Sequence, residues 1–219
     1  MRTLSVLSCK GGTGKTTLAL HLAVAAQAAG RSVLVADLDR QRSAVDWRRE
    51  REQIRPDVEE AKPGSLFTLQ QAAHRLGTEL MIIDTASSRE EDSAYAVRCA
   101  DLCLIVLRPN FLDLKAVVGS AQAVLNQNKT GVFVVNQAPA GSAMMSEVMQ
   151  TLRPYGLPIA PIRIRQRTAY GQSLGEGATV QELEPSGPAA EEMAALWYYI
   201  DSLLWSAEAG HDQLEARSA

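Results

Sequence analysis

The sequence predicts an open α/β fold in three layers, a mainly parallel central sheet covered by helices on both faces. Two observations carry this expectation. Short apolar or β-branched runs alternate along the chain with segments whose apolar residues recur at helical spacing, and a strand followed by a crossover helix is the unit from which parallel sheets are built. The runs are also nearly continuous in apolar character, as in strands buried on both faces.

Each element follows from its local residues. Strands are expected over 3–7, 32–36, 80–83, 102–107, 132–135 and 159–164, all rich in Val, Ile and Leu. The first leads into the glycine-rich stretch Ser8-Cys9-Lys10-Gly11-Gly12-Thr13-Gly14-Lys15-Thr16-Thr17. A helix over 16–29 follows, closed by Gly30, the residue that most easily takes the left-handed turn at a helix end. Helical spacing recurs over 44–54, 69–76, 114–125 and 146–152, and over 189–204 behind Pro188, a favoured first residue of a helix. The mixed charges from Asp46 to Arg55 read as the solvated face of their helix. In such sheets ligands gather at the carboxyl ends of the strands, so chemistry is expected in the loops after Leu7, Ala36, Ile83, Leu107, Val135 and Ile164.

With 219 residues, 46% hydrophobic and 21% charged, and no Pro/Gly/Ser-rich divide, the chain has the composition of one globular core. A single domain over 1–208 is expected, followed by a polar tail over 209–219 that frays. The residues after Met1 lack the layout of a signal peptide, and the apolar runs fall short of a membrane span. Three cysteines, an odd number, suit a reducing, cytoplasmic setting. Cys99 and Cys103 read as small buried hydrophobes, since no second pair completes a tetrahedral metal site. A net charge of −3 leaves any polyanion to a local basic patch.

The glycine-rich stretch between the first strand and helix has the layout of a Walker A loop. Gly11, Gly12, Thr13 and Gly14 let backbone amides approach phosphate at a helix N-terminus. Lys15 supplies a point charge to the outer phosphates, and the hydroxyl of Thr16, followed by Thr17, is suited to ligate Mg²⁺. ATP and Mg²⁺ are the expected cofactors. Asp84 ends a second strand in Met81-Ile82-Ile83-Asp84-Thr85, where its carboxylate acts on Mg²⁺ directly or through water. Asp37 and Asp39 end a third strand; they suit metal and water positioning, with turn formation or helix capping as the alternative.

With Lys10 placed five residues before Lys15, and with Asp37-Leu38-Asp39 and Leu80 to Ser87 in order behind it, the chain resembles the ParA/MinD family of deviant Walker A ATPases, and is nearest in length to the short ParA type. The likeness runs from Arg2 to about Leu204. It implies a P-loop NTPase fold and an ATP-dependent homodimer in which Lys10 reaches the phosphates of the partner's nucleotide. It also implies that Asp39 positions the attacking water, Asp37 helps hold the hydrated Mg²⁺, Asn136 contacts adenine and the segment 163–166, with Arg163, flanks it. Asn136 has an ordinary loop-start role as its alternative. Two departures touch the switch loops: Arg40 and Arg42 stand where the family reads proline and glycine in D-x-D-P-Q-G, and Ala86-Ser87 replace two prolines.

The family's branches separate on other residues. The stretch 189–205 carries Glu191, Glu192 and Asp201 and no lysine or arginine, unlike a basic membrane-binding helix. Cys99 and Cys103 are too close together to share a cluster across a dimer axis. Arg163, Arg165 and Arg167 alternate, so an extended segment would place them on one face towards DNA, with Lys129 and Arg153 as further candidates; a solvated edge or a role at the nucleotide is the alternative for each. The resemblance thus implies an ATPase with slow hydrolysis that binds DNA without sequence preference. Stimulated by a ParB-like activator or cargo adaptor, it would segregate a plasmid or chromosome or position another cargo, in cytoplasm and on the nucleoid when ATP-bound. A MinD-like membrane-associated role, or regulation of a protein assembly without DNA, is the alternative.

Overall fold

The computed structural model describes residues 1–86, 90–139 and 143–215, of which 90–92, 143–144 and 206–215 by backbone alone. Six strands, β1 (Arg2–Leu7), β2 (Val33–Asp37), β3 (Asp57–Glu60), β4 (Leu80–Asp84), β5 (Leu102–Leu107) and β6 (Thr130–Val135), form one sheet in the order β3-β2-β4-β1-β5-β6. Every pairing is parallel. Asp37 lies directly opposite Asp84 in the β2–β4 ladder, and Val6 pairs Asp84 in β1–β4. Parallel register therefore brings the ends of three strands, and the loops that leave them, to one edge.

Strand alternation divides the core between two faces. Leu4, Val6, Val35, Ile82, Leu104 and Val134 point to one face. They pack there beneath α1 (Lys15–Ala28) and α9 (Pro188–Glu215), with Trp47 of α2 (Ser43–Glu50), Tyr170 of α7 (Thr168–Gly175) and Val180 of α8 (Val180–Leu183). Leu7, Ala36, Met81, Ile83, Cys103, Ile105 and Phe133 point to the other, under α3 (Leu66–Arg75), α4 (Glu90–Cys99), α5 (Phe111–Asn126) and α6 (Ala143–Leu152). Each fully buried Leu, Ile or Val contributes about 2 kcal/mol of transfer free energy, so the two faces together hold the phosphate edge on a rigid base. In α9 the buried positions among the described side chains are Ala189, Ala190, Met193, Leu196, Trp197, Ile200 and Leu204, while Tyr199 and Leu203 pack at its flank. Among the described residues no helix is long and apolar enough to cross a membrane.

Four local expectations are corrected. The segment 159–164 is not a strand: it runs beside β6, with Ala160 donating to Phe133 and Ile164 to Val135, but its bridges, Phe133 to Ile159 and beyond the sheet Ala138 to Arg165, are isolated, and Pro161 within it has no N–H to give. The helix expected over 44–54 stops at Glu50; Arg51 turns extended, and its buried guanidinium reaches Glu182 at 2.6 Å and the carbonyl of Gly177 at 3.1 Å. The polar run Asp-Val-Glu-Glu forms the unforeseen edge strand β3. Three helices, α4, α7 and α8, add to those expected. At the carboxyl terminus α9 carries helical backbone to Glu215, and 216–219 lie outside the described residues.

Candidate functional site

The loop after β1 turns tightly enough to aim its amides inward because Gly12 and Gly14 adopt φ of 72° and 91°, a region that costs other residues strain. At Gly14 a Cβ would stand 2.3 Å from Nδ2 of Asn136, so glycine is required by contact as well as by φ. Two amides behind the loop fix it: Asn136 Nδ2 donates to the carbonyl of Thr13 at 2.7 Å and Gln137 Nε2 to that of Gly12 at 2.9 Å. Asn136 is buried and its Oδ1 accepts from the Gln137 amide. The residue expected at adenine thus braces the phosphate loop from behind.

Lys15 opens α1 and is buried; burial pushes its ammonium pKa down, against the opposing pull of Asp84 and Asp39. Thr16 Oγ1 donates to Asp84 Oδ2 at 2.6 Å. Asp84 is completely buried and its Oδ1 has no hydrogen-bond partner among the described residues. Burial pushes its carboxyl up to about 7, against the hydrogen bond from Thr16. A lone buried carboxylate oxygen beside a threonine hydroxyl at a phosphate loop fits a hard divalent cation, which takes oxygen donors and would offset that burial. Among the described residues no three His, Cys, Asp or Glu side chains converge as a metal cage. Mg²⁺ is typically held by one or two protein oxygens plus phosphate and water, and Thr16 and Asp84 are oxygen donors of that kind.

The acidic pair behaves differently at its two positions. Asp37 Oδ2 accepts from the amides of Ala44 and Val45, at 3.0 and 3.2 Å, and Oδ1 accepts from the amide of Asp39 at 2.9 Å. It therefore caps α2 from a distance, which was the alternative reading of this residue. Burial raises its pKa, and these three amides oppose the shift. Asp39 is half-buried, and its Oδ1 accepts from the amide of Gln41. The two carboxylates thus shape the loop that joins β2 to α2. Arg42 holds φ of 54° at the start of that helix, a left-handed conformation that glycine takes more readily than arginine. Of the second switch, Ala86 is buried and Ser87 lies outside the described residues.

Lys10 faces neither Asp84 nor Asp39. Its Nζ lies 3.7 Å from Asp113 Oδ1, and Asp113 also accepts from Arg108, Nε at 2.7 Å and Nη2 at 3.1 Å. Arg108 and Asp113 were missed in the sequence, although the strand-end rule marks the loop after Leu107. The Asn110-x-x-Asp113 spacing, in which the Asn110 side chain accepts from the Asp113 amide, is a helix-cap signature.

The three arginines expected towards DNA are divided. Arg163 and Arg165 are exposed and line a cavity of about 350 Å³ with Pro109, Ala138, Pro139 and Glu192. Arg167 is instead paired to Glu192, Nη2 to Oε1 at 2.7 Å, and the same carboxylate accepts from the Arg165 amide and from Tyr170. Glu192, named in the sequence only among the acids that set the last helix apart from a basic membrane-binding one, anchors this loop to α9. Lys129 donates to the carbonyl of Ala100, and Arg153 is exposed.

Residues 4–180 match the family described as the CobQ/CobB/MinD/ParA nucleotide binding domain. The chain is similar to the maintenance of carboxysome distribution protein A of Gloeobacter kilaueensis, 31% identical over 199 residues and covering 89% of each chain. It is also similar to the protein of the same name from Halothiobacillus neapolitanus, 28% identical over 206 residues, with 87% of this chain and 91% of that relative covered. The solved septum site-determining protein MinD complexed with Mg-ADP, from Pyrococcus horikoshii, shares the fold with a TM-score of 0.75 at 17% identity, over 92% of this chain and 96% of that one.

Proposed function

The chain belongs to the CobQ/CobB/MinD/ParA nucleotide-binding family, and from that premise we propose that it is a Mg²⁺-dependent ParA-type ATPase. It closes as an ATP-bound homodimer, binds DNA without sequence preference and positions a cargo, under the control of a ParB-like activator or adaptor. One observation carries the enzymatic part: the buried Asp84 carboxylate, bonded to Thr16 through one oxygen and, among the described residues, unpartnered at the other, beside buried Lys15. The cargo part is supported by the two relatives named for carboxysome distribution, and a carboxysome-like assembly is the leading cargo.

Residue by residue, the loop amides and Lys15 hold the β- and γ-phosphates, while Thr16 and Asp84 hold Mg²⁺, with Asp37 towards its water shell. When bound, Mg²⁺ neutralises developing charge on the phosphates. Asp39 orients the attacking water from the loop that Asp37 fixes. Lys10 leaves Asp113 and crosses to the partner's phosphates, adding the positive charge that an arginine finger gives. The base occupies the cavity beside Arg163 and Arg165, near Asn136, and DNA meets the outer arginine surface of the dimer. The protein is cytoplasmic and joins the nucleoid in its ATP state.

The test is nucleotide titration with sedimentation and phosphate release. Lys15→Ala should lose ATP binding. Lys10→Ala should bind ATP but neither dimerise stably nor respond to an activator, and Asp39→Ala should hold an ATP dimer that does not hydrolyse. A Lys10→Ala protein that dimerises and turns over normally contradicts the sandwich mechanism.

A further inference from the structure

The guanidinium of Arg108 is gripped on one edge and open on another. It stands one residue beyond β5, and its Nε and Nη2 donate to the two oxygens of Asp113, a side chain only 2% exposed. Asp113 is itself fixed, because its amide donates to Asn110 at the start of α5 and its Oδ2 accepts the Arg108 amide at 3.3 Å. A guanidinium is planar, so two bonded nitrogens set the direction of the third. That third nitrogen, Nη1, has no hydrogen-bond partner among the described residues, and it lies 3.8 Å from where a Cβ on Gly12 would stand. With Lys10 Nζ on the same carboxylate, two cations surround one anion and leave a positive charge beside the phosphate loop. Burial works to raise the Asp113 pKa, but the hydrogen bonds and charge of Arg108 prevail and hold it below the usual range.

We propose that Arg108 is a further phosphate-binding residue, its Nη1 directed past Gly12 to the terminal phosphoryl group of a nucleoside triphosphate, with Asp113 as the residue that positions it. The inference rests on the ATPase reading. It adds a contact outside the Walker loop that recognises the third phosphate and not the second, so its signature is discrimination between ATP and ADP. The terminal phosphate is that of the same subunit or of the partner's nucleotide.

The experiment titrates the full chain, with Mg²⁺, against ADP and a non-hydrolysable ATP analogue. Arg108→Gln should weaken the analogue at least tenfold and ADP less than twofold, consistent with loss of one charge-assisted bond. Because Arg108→Gln alone leaves Asp113 buried with one cation, the double variant Arg108→Gln/Asp113→Asn is measured beside it and should show the same selective loss. Arg108→Lys should recover part of the preference. Loss at concentrations where sedimentation finds only monomer assigns the contact to the subunit's own nucleotide; loss only in the dimer assigns it to the partner's. Equal weakening of both nucleotides, or none, overturns the proposal and leaves the ATPase reading standing. A wild-type chain that binds neither nucleotide overturns both.

Discussion

Arg42 holds a backbone conformation that its side chain disfavours, with φ of 54°. A left-handed conformation costs a non-glycine residue about 1 kcal/mol or more, and the exposed 3.3 Å pair of Arg42 with Glu60 returns little of that. Arg42→Gly should therefore raise stability, by no more than about 1 kcal/mol once the entropy of the freer unfolded chain is subtracted, which for a chain of this size is at most roughly 2–4 °C in melting temperature. A fall in melting temperature would show that the arginine, rather than the backbone, holds this turn. The same residue marks what was legible in sequence. Glycines and lysines of the phosphate loop could be read because their chemistry depends on neighbours in the chain. Glu192 could not, because it gains its role from a partner that folding brings near, Arg167, 25 residues away; Arg108 and Asp113 are only five residues apart, and what the sequence hides is that their pair lies beside Gly12.

Among the elements, α1 couples the phosphate loop to the helices beyond it through His21. The buried ring bonds the Thr17 carbonyl through Nδ1 at 2.7 Å, meets Ser173 of α7 and packs edge-on to Tyr170. Gln181 of α8 donates to the His21 carbonyl. Burial, opposed by the Thr17 carbonyl and the charge of Glu182, lowers the His21 pKa from 6.5 to about 4. A depressed folded pKa means that the unfolded chain takes up the proton first. Stability from the neutral ring is whole above pH 6.5 and is lost as pH falls towards 4, by about 3 kcal/mol at its limit. Urea unfolding across that window should show the loss in the wild type and a shallower one in His21→Gln; parallel curves would remove His21 as the cause. Legibility also varied by element. Apolar strands declared themselves, whereas β3 is a polar edge strand without the apolar signature, and 159–164 is extended but interrupted by Pro161.

For the whole molecule, a net charge of −3 leaves any attraction to polyanions to a local basic patch, and Arg163 and Arg165 are exposed candidates for it. ATP-bound protein should bind unrelated duplexes with similar affinity, and the logarithm of that affinity should fall linearly with the logarithm of salt concentration, by about one power for each phosphate neutralised. Charge reversal at Arg163 or Arg165 should reduce the slope by about one; unchanged binding would confine these arginines to the cavity they line. A last consequence belongs to Lys10. In this single chain its ammonium rests 3.7 Å from Asp113, so any closed assembly in which that lysine serves the neighbouring copy must first detach it. A two-fold pair holds every contact twice. Whatever factor detachment imposes on one copy therefore enters the pairing constant squared, and a tenfold tether becomes a hundredfold brake. Two weak contacts, released together, would make assembly respond far more steeply to the nucleotide than either copy could alone.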